Sequence, residues 1–207
     1  MKIKNVKVAF LNESICRSGY PMQTEEPYDM EFNNGLKSDS LSESSIIRAK
    51  KLANTSVGSG HNNFLKGIIV QFDLQYPEYF SPQLQRYHWI DIVSSQSKMH
   101  KITSRELTKN DFTEDTLNES IILINDLIKQ YNQIGVMENT QKILFKRIIS
   151  NLPSGYLKWM GISTNYLQLK TIYNQRCKHK HKLEDWVEFG KFIESLPMSE
   201  LITGKND

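Results

Sequence analysis

Apolar positions along this chain follow two periods, and the alternation between them divides the sequence into elements. In "KIKNVKVAF", residues 2–10, Ile3, Val6, Val8 and Phe10 alternate imperfectly with polar neighbours and predict a first strand. "LKGIIVQFDLQYP" gathers Ile68, Ile69, Val70 and Phe72 into a β-branched and aromatic run closed by Pro77, a second strand. "GYLKWMGIST" reads as a short strand or extended link. Elsewhere the helical period takes over. "SLSESSIIRAKKLANTS" opens on serine caps with a Glu in the first turn and sets Ile46, Ile47, Ala49 and Leu52 to one side, a short helix. Ser81-Pro82 starts a helix expected over about 82–91. "DTLNESIILINDLIKQYNQIG" spaces Leu117, Ile121, Ile124 and Ile128 three to four apart, with Gly135 as its stop. "TQKILFKRIISNLP" follows as a helix ending before Pro153. "NYLQLKTIYNQRC" and "LEDWVEFGKFIESLP" predict two more, separated by the basic "KHKHK".

Residues 18–42, rich in Gly, Pro, Asn and acidic side chains, predict a long loop, and long loops in compact domains usually carry function. Residues 198–207 read as a C-terminal tail. No internal repeat or low-complexity tract interrupts the pattern. Together these elements predict an α+β (mixed α/β) fold in a single domain, 1–207, with a central mixed sheet flanked by helices and a helix-rich second half.

Composition narrows the classes of function. A chain of 207 residues with 39% hydrophobic and 10% aromatic content can bury one good core. A net charge of +3 permits an anionic small-molecule ligand and makes no case for a nucleic-acid or membrane surface. Two cysteines, Cys16 and Cys177, make no disulfide framework, the N-terminus lacks the apolar core of a secretory signal, and no apolar run approaches the ~18 residues of a membrane span. A reduced, soluble, cytoplasmic protein is expected.

Several local patterns carry chemistry only weakly. Cys177, His179 and His181 alternate in "CKHKHK", but no second ligand pair with metal-like spacing accompanies them, so a basic turn meeting phosphate or solvent is the better reading and no metal is expected. "GSGH" lacks the Gly-Lys-Ser/Thr ending of a phosphate-binding loop. Ser94, Ser95 and Ser97 have no Gly-x-Ser-x-Gly surround, which argues against hydrolase chemistry and leaves them as turn formers or as hydroxyls for a polar ligand. His88, between Tyr87 and Trp89, is by itself a packed histidine more often than a ligand.

Read in order, three stretches resemble the flavin-dependent thymidylate synthases, the ThyX family. In "LPSGYLKWMGISTNYLQLKTIYNQRC", residues 152–177, Leu152, Pro153, Tyr156, Asn165 and Arg176 fall where that family carries them, without a gap. The family's Arg-His-Arg signature, anchored on Ser97, lies over Tyr87-His88-Trp89: the His coincides, both arginines are replaced, and Arg86 stands one position away. Its Asn-Glu becomes Ser94-Ser95 and its last Arg becomes Met99. "SSIIRAKKLANTS" is similar to the family's Ser-Ile-Val-Arg-Ala helix, and "GSGHNNF" to its Gly-His-x-x-Pro-Phe turn without the Pro. The resemblance spans roughly residues 3–195.

The resemblance implies a homotetramer that binds FAD between subunits and reductively methylates dUMP with methylenetetrahydrofolate and NADPH, the flavin supplying the redox chemistry. It implies a pyrimidine-contacting and charge-stabilising role for Arg176, substrate contacts from Ser95, Gln96, Ser97 and Arg147, and cofactor contacts from His61, Arg86, Tyr87, His88, Trp89 and Asn165. Arg147 is displaced by two residues from the place of the family's phosphate-binding Arg. Thr171 replaces an Asn and Leu167 an Arg. Tyr87 and Trp89 can stack on a flat ring but cannot supply the bidentate charge of the arginines they replace. Two readings follow: a divergent enzyme acting on a pyrimidine nucleotide, or a non-catalytic nucleotide-binding or interaction protein that has lost the flavin site. A third reading is a helix-rich scaffold whose "KHKHK" turn docks an acidic partner.

Overall fold

A computed structural model describes residues 1–24, 26, 41–56, 58–133, 135–178 and 183–204. The expected α+β class is found. Strands β1 (Lys2–Ala9), β2 (Ile69–Pro77), β3 (Asp91–Ser95) and β4 (Leu157–Asn165) form one sheet in the order β1-β2-β4-β3, antiparallel where a mixed sheet was expected. The pairing of β4 is read from its ends: Glu78 N–H donates to the Tyr156 carbonyl, and Tyr166 N–H to that of Ile68. Burial alternates along β2, with Val70, Phe72, Leu74 and Tyr76 buried between more accessible neighbours, as a strand with one covered face requires.

Two compact units divide the chain. Unit 1 comprises residues 1–4, 73–86 and 92–162; unit 2 comprises 5–72, 87–91 and 163–207. Unit 1 holds α3 (Ser81–Leu84), α4 (Lys98–Lys101), α5 (Asn118–Tyr131) and α6 (Glu138–Asn151). Ile121, Ile124 and Ile128 of α5 pack with Ile148 of α6 and with Ile102, Leu107 and Phe112. Each such buried aliphatic side chain contributes ~2 kcal/mol relative to exposure. Unit 2 holds α1 (Leu11–Arg17), α2 (Glu43–Ala53), α7 (Tyr166–Ile172), α8 (Glu184–Glu194) and α9 (Glu200–Thr203). Its core is aromatic, with Trp186 and Phe189 of α8 and Tyr166 of α7 fully buried.

Local chemistry sets the helix ends. Ser42 caps α2 by accepting from Ser45 N–H, and Asn165 caps α7 by accepting from Gln168 N–H. Gly204 closes α9 at φ 68°, a left-handed conformation that suits glycine.

Three expectations are corrected. The helix expected over 82–91 stops at Leu84, and Asp91–Ser95 is a strand, because β4 offers an open edge that a β-branched run can fill. Leu11–Arg17, ahead of the expected loop, is helical, and Tyr20–Met22 is a 3-10 turn; residues 27–40 of that loop lie outside the described residues. The segment read as a tail includes α9, whose Leu201 and Ile202 are buried. Among the described residues no helix is long and apolar enough to cross a membrane.

Candidate functional site

Unit 1 carries a concavity of about 450 Å³ whose lining includes Gln75, Gln96, Ser97, Lys98, Lys101, Arg105, Asp111, Tyr156, Lys158 and Trp159. Four segments build it: the end of β2, the turn from β3 into α4, the segment after α4, and the start of β4. Gln96 is fixed on the backbone of β4, its N–H donating to the Trp159 carbonyl at 2.9 Å and its Oε1 accepting from Trp159 N–H at 3.1 Å. That clamp sets the position of Ser97, which opens α4. Glu78, just beyond β2, joins two of the cations. Lys158 Nζ lies 2.6 Å from its Oε1 and Lys98 Nζ 3.1 Å from its Oε2.

Burial works to raise the Glu78 carboxyl, but hydrogen bonds from Lys158 and Lys98 outweigh it and hold the group below the usual carboxylate range. Burial also opposes charge on Lys158, and the Glu78 hydrogen bond overcomes it, so this lysine stays a firm cation. Arg105 meets Asp111 in a two-pronged pair, at 2.5 and 2.8 Å. Burial, aided by the nearby Asp111, pushes the Tyr156 phenol up and keeps its hydroxyl protonated, a neutral donor beside the cations. Lys98, Lys101, Arg105 and Lys158 stand in the lining against Asp111, and Glu78, just outside it, offsets one more of these cations, which leaves a surplus of two positive charges. A concavity that combines excess cations, a serine hydroxyl, an amide and two aromatic rings is chemically suited to an anionic group carried on a planar body.

Of the residues singled out for substrate in this unit, Gln96 and Ser97 line that concavity. Ser95 lines a shallower one of about 390 Å³ with Asp73, Ser94, Gln96, Trp159 and Gly161. Arg147 is exposed on α6 and lines none of the concavities described here, its carbonyl accepting from Asn151. Arg86 is exposed beyond α3. Sequence reasoning missed Glu78, Lys98, Lys101, Arg105 and Lys158. A signal existed for three of them, since Lys98, Lys101 and Arg105 directly follow Ser97 at helical spacing.

Unit 2 brings together a second set. The Arg176 side chain leaves a π-helical turn, Tyr173–Cys177, that continues α7. Its Nε–H donates to the Tyr87 hydroxyl at 3.2 Å, and its guanidinium lies 5.5 Å from the Trp186 ring centre. Tyr87 meets the same indole edge-on at 6.4 Å. Tyr87 is thus a buried partner of Arg176 rather than an exposed stacking surface.

Trp89 is the exposed aromatic, 54% accessible. Its N–H donates to Gln168 Oε1 at 3.2 Å, Gln168 N–H donates to Asn165 Oδ1 at 2.9 Å, and His88 stands edge-on to its ring at 5.5 Å. Trp89, Asn165, Lys66, Ile69, Asp91, Ser163 and Thr164 line a concavity of about 280 Å³. His61 is exposed in the turn after Gly58 and Gly60, both at positive φ, and does not line this concavity.

The fit of a flavin dinucleotide can be judged on these residues. The face of Trp89 and the hollow beside it suit a flat ring. A diphosphate is poorly served, because Lys66 is the only cation in that lining and Asp91 stands in the same lining. The lining of this concavity therefore fits a ring and not the whole dinucleotide. Among the described residues no three His, Cys, Asp or Glu side chains converge to hold a metal; His179 and His181 lie outside them. The "KHKHK" turn lies outside them too, apart from Lys178.

No protein-family model and no curated protein matches this sequence. Solved structures do match. The flavin-dependent thymidylate synthase ThyX from Helicobacter pylori, complexed with FAD and dUMP, matches with a TM-score of 0.68 at 13% identity, covering 98% of this chain and 97% of that one. A second structure of Thymidylate Synthase X from the same organism, with FAD and dUMP, gives 0.67 at 11% identity and the same coverage. The UMP/dUMP methylase PolB from Streptomyces cacaoi, bound with 5-Br dUMP, gives 0.58 at 11% identity over 94% of this chain and 89% of that one. With near-complete coverage in both directions at these scores, the chain has the fold of the flavin-dependent thymidylate synthases.

Proposed function

We propose that this chain binds a pyrimidine nucleotide of the dUMP kind, with the nucleotide phosphate in the basic concavity of unit 1. The observation that carries the reading is the convergence of Lys98, Lys101, Arg105 and Lys158 around Ser97. The family's arginine at position 99 is Met99 here, and the two flanking the signature His are Tyr87 and Trp89. Lys98 and Lys101 on either side of Met99, with Arg105 and Lys158, stand in the concavity instead. A monoester phosphate carries roughly two negative charges at neutral pH, which the surplus in the lining matches. Ser97 donates its hydroxyl to a phosphate oxygen, the lysines neutralise charge, and Trp159 offers a face to the base. The three solved structures described above are complexes with dUMP or 5-Br dUMP, which favours the same ligand class here.

The reading is tested by calorimetric titration of the purified chain with dUMP at low and high salt, beside Lys158→Ala and Ser97→Ala. Saturable binding that weakens in salt and in both variants supports it; no heat and no thermal shift with dUMP, UMP or inorganic phosphate ends it.

A second reading concerns catalysis. The fold favours a flavin-dependent, reductive one-carbon transfer to the nucleotide with methylenetetrahydrofolate and NADPH. The commitment of Arg176 to Tyr87 and Trp186, with the single cation beside Trp89, favours a binding protein without flavin. Visible absorbance separates them: a yellow protein with flavin bands supports the enzyme, and a colourless one that binds dUMP supports the binding protein.

A further inference from the structure

The concavity beside Trp89 has a polar floor under a charged and aromatic rim. Thr164 and Asn165 are 4% and 7% accessible, Ile69 is half-buried, and Lys66, Trp89 and Asp91 are exposed. All of them belong to unit 2. The end of β4 supplies the floor, Ile69 opens β2 with Lys66 just ahead of it, and Trp89 and Asp91 arrive with the segment that begins β3.

The hydrogen-bonding and charged groups of this lining are unspent. The Thr164 hydroxyl is buried without a partner, a state that costs roughly 1–3 kcal/mol. Valine would fill its place with the same shape and no such penalty. Asn165 spends its Oδ1 on Gln168 N–H, and its amide NH2 has no partner among the described residues. Lys66 and Asp91 carry opposite charges in one small lining. Neither forms an ion pair with the other or with any described residue.

We propose that this concavity binds a free aromatic amino acid with a polar ring substituent, of which tyrosine is the type. Its volume of about 280 Å³ stands at the small end of ligand sites, ~300–1,000 Å³, and suits an amino acid better than a nucleotide. Two unpaired charges of opposite sign match a ligand that carries one of each. The ammonium group donates to Asp91, and the carboxylate accepts from Lys66. The ring lies against Trp89 and Ile69. Its phenol meets the floor, where the oxygen accepts from the Asn165 amide and the O–H donates to the Thr164 hydroxyl. A flavin ring carries no cation for Asp91, so the rim charges distinguish the two ligands. The nucleotide reading concerns unit 1 and can fail while this proposal stands.

The test is calorimetric titration of the whole chain with L-tyrosine. Beside it stand L-phenylalanine, tyramine, which lacks the carboxylate, and hydroxyphenylpropionate, which lacks the ammonium group. L-Tyrosine should bind saturably, and each analogue roughly tenfold more weakly or worse. Asp91→Asn should erase the preference over hydroxyphenylpropionate, Lys66→Met that over tyramine, and Thr164→Val that over L-phenylalanine. Each variant should lose one selectivity and keep the other two, which a general loss of packing would not produce. No heat with L-tyrosine, analogues that bind as tightly, or selectivities that ignore the variant overturn the proposal. So does saturable binding of riboflavin that L-tyrosine fails to displace. If Thr164→Val does not fold, Asp91→Asn and Lys66→Met, both at exposed positions, decide the result.

Discussion

Replacing Glu78 by Gln should weaken the fold and at the same time tighten anion binding. The carboxylate is the shared partner of Lys98 and Lys158, with only 21% of its side chain accessible, and Lys158 is 14% accessible. Glutamine keeps the shape and loses the charge. Leaving two partly buried ammonium groups without their charge-assisted bonds costs roughly 1–3 kcal/mol of stability. The same change removes a negative charge beside the concavity. Two unit charges about 4 Å apart interact by ~1 kcal/mol in water and more near a protein surface, so phosphate affinity should rise by roughly five- to tenfold.

Urea unfolding at several pH values measures the first effect. The Glu78 pKa is depressed in the folded chain, so its stabilisation is present above the unfolded carboxylate pKa and is lost as pH falls through the folded one. The gap between wild type and Glu78→Gln should accordingly be full at neutral pH and close at strongly acidic pH. Titration with inorganic phosphate and dUMP at low salt measures the second. A variant that is destabilised and also binds phosphate no more tightly would refute the claim that Lys98 and Lys158 are ligand-facing cations.

Further expectations follow from single contacts. Arg176→Ala tests the resemblance, which implies that the guanidinium reads the pyrimidine, against its observed contacts with Tyr87 and Trp186: lost dUMP binding would support the first. Unchanged affinity by calorimetry, with ~1 kcal/mol lost in urea unfolding, would make it a packing partner of Trp186 instead. The Cys177 thiol, pushed up to about 12 first by burial and then by the Glu194 charge, should resist iodoacetamide at pH 8 in the folded chain and react fully in urea; rapid alkylation read by mass spectrometry would contradict its burial. Gly155→Ala should lower the melting temperature by several degrees, because a Cβ there overlaps the hydroxyls of Thr113 and Thr116; an unchanged melt would show that both threonines can turn away.

How much was legible in the sequence depends on the range of the forces involved. The apolar stripe of Ile121, Ile124 and Ile128 and the β-branched run of β2 carry their own period, so α5, α6 and β2 could be read directly. The capping role of Asn165 is likewise local chemistry, resolved within three residues by Gln168 N–H. The motif order 152–177 placed Asn165 and Arg176 in one segment, and α7 and the turn after it keep them there.

What the sequence left open depended on partners far along the chain. "DIVSS" is too short to declare itself, and the vacant edge of β4 makes it a strand. Tyr87 and Trp89 are equivalent on paper. The fold buries Tyr87 against Arg176 and Trp186 and leaves Trp89 open beside Asn165. The basic concavity joins Lys98, Lys101 and Arg105, one local stretch, to Lys158 of β4, and Glu78 beyond β2 pairs with two of these lysines from beside it; no local period links the three segments. Short-range patterning determined the longer helices α2, α5, α6, α7 and α8 and most of the strands. Only tertiary packing, which brings charges together across tens of residues, decided where an anion can sit.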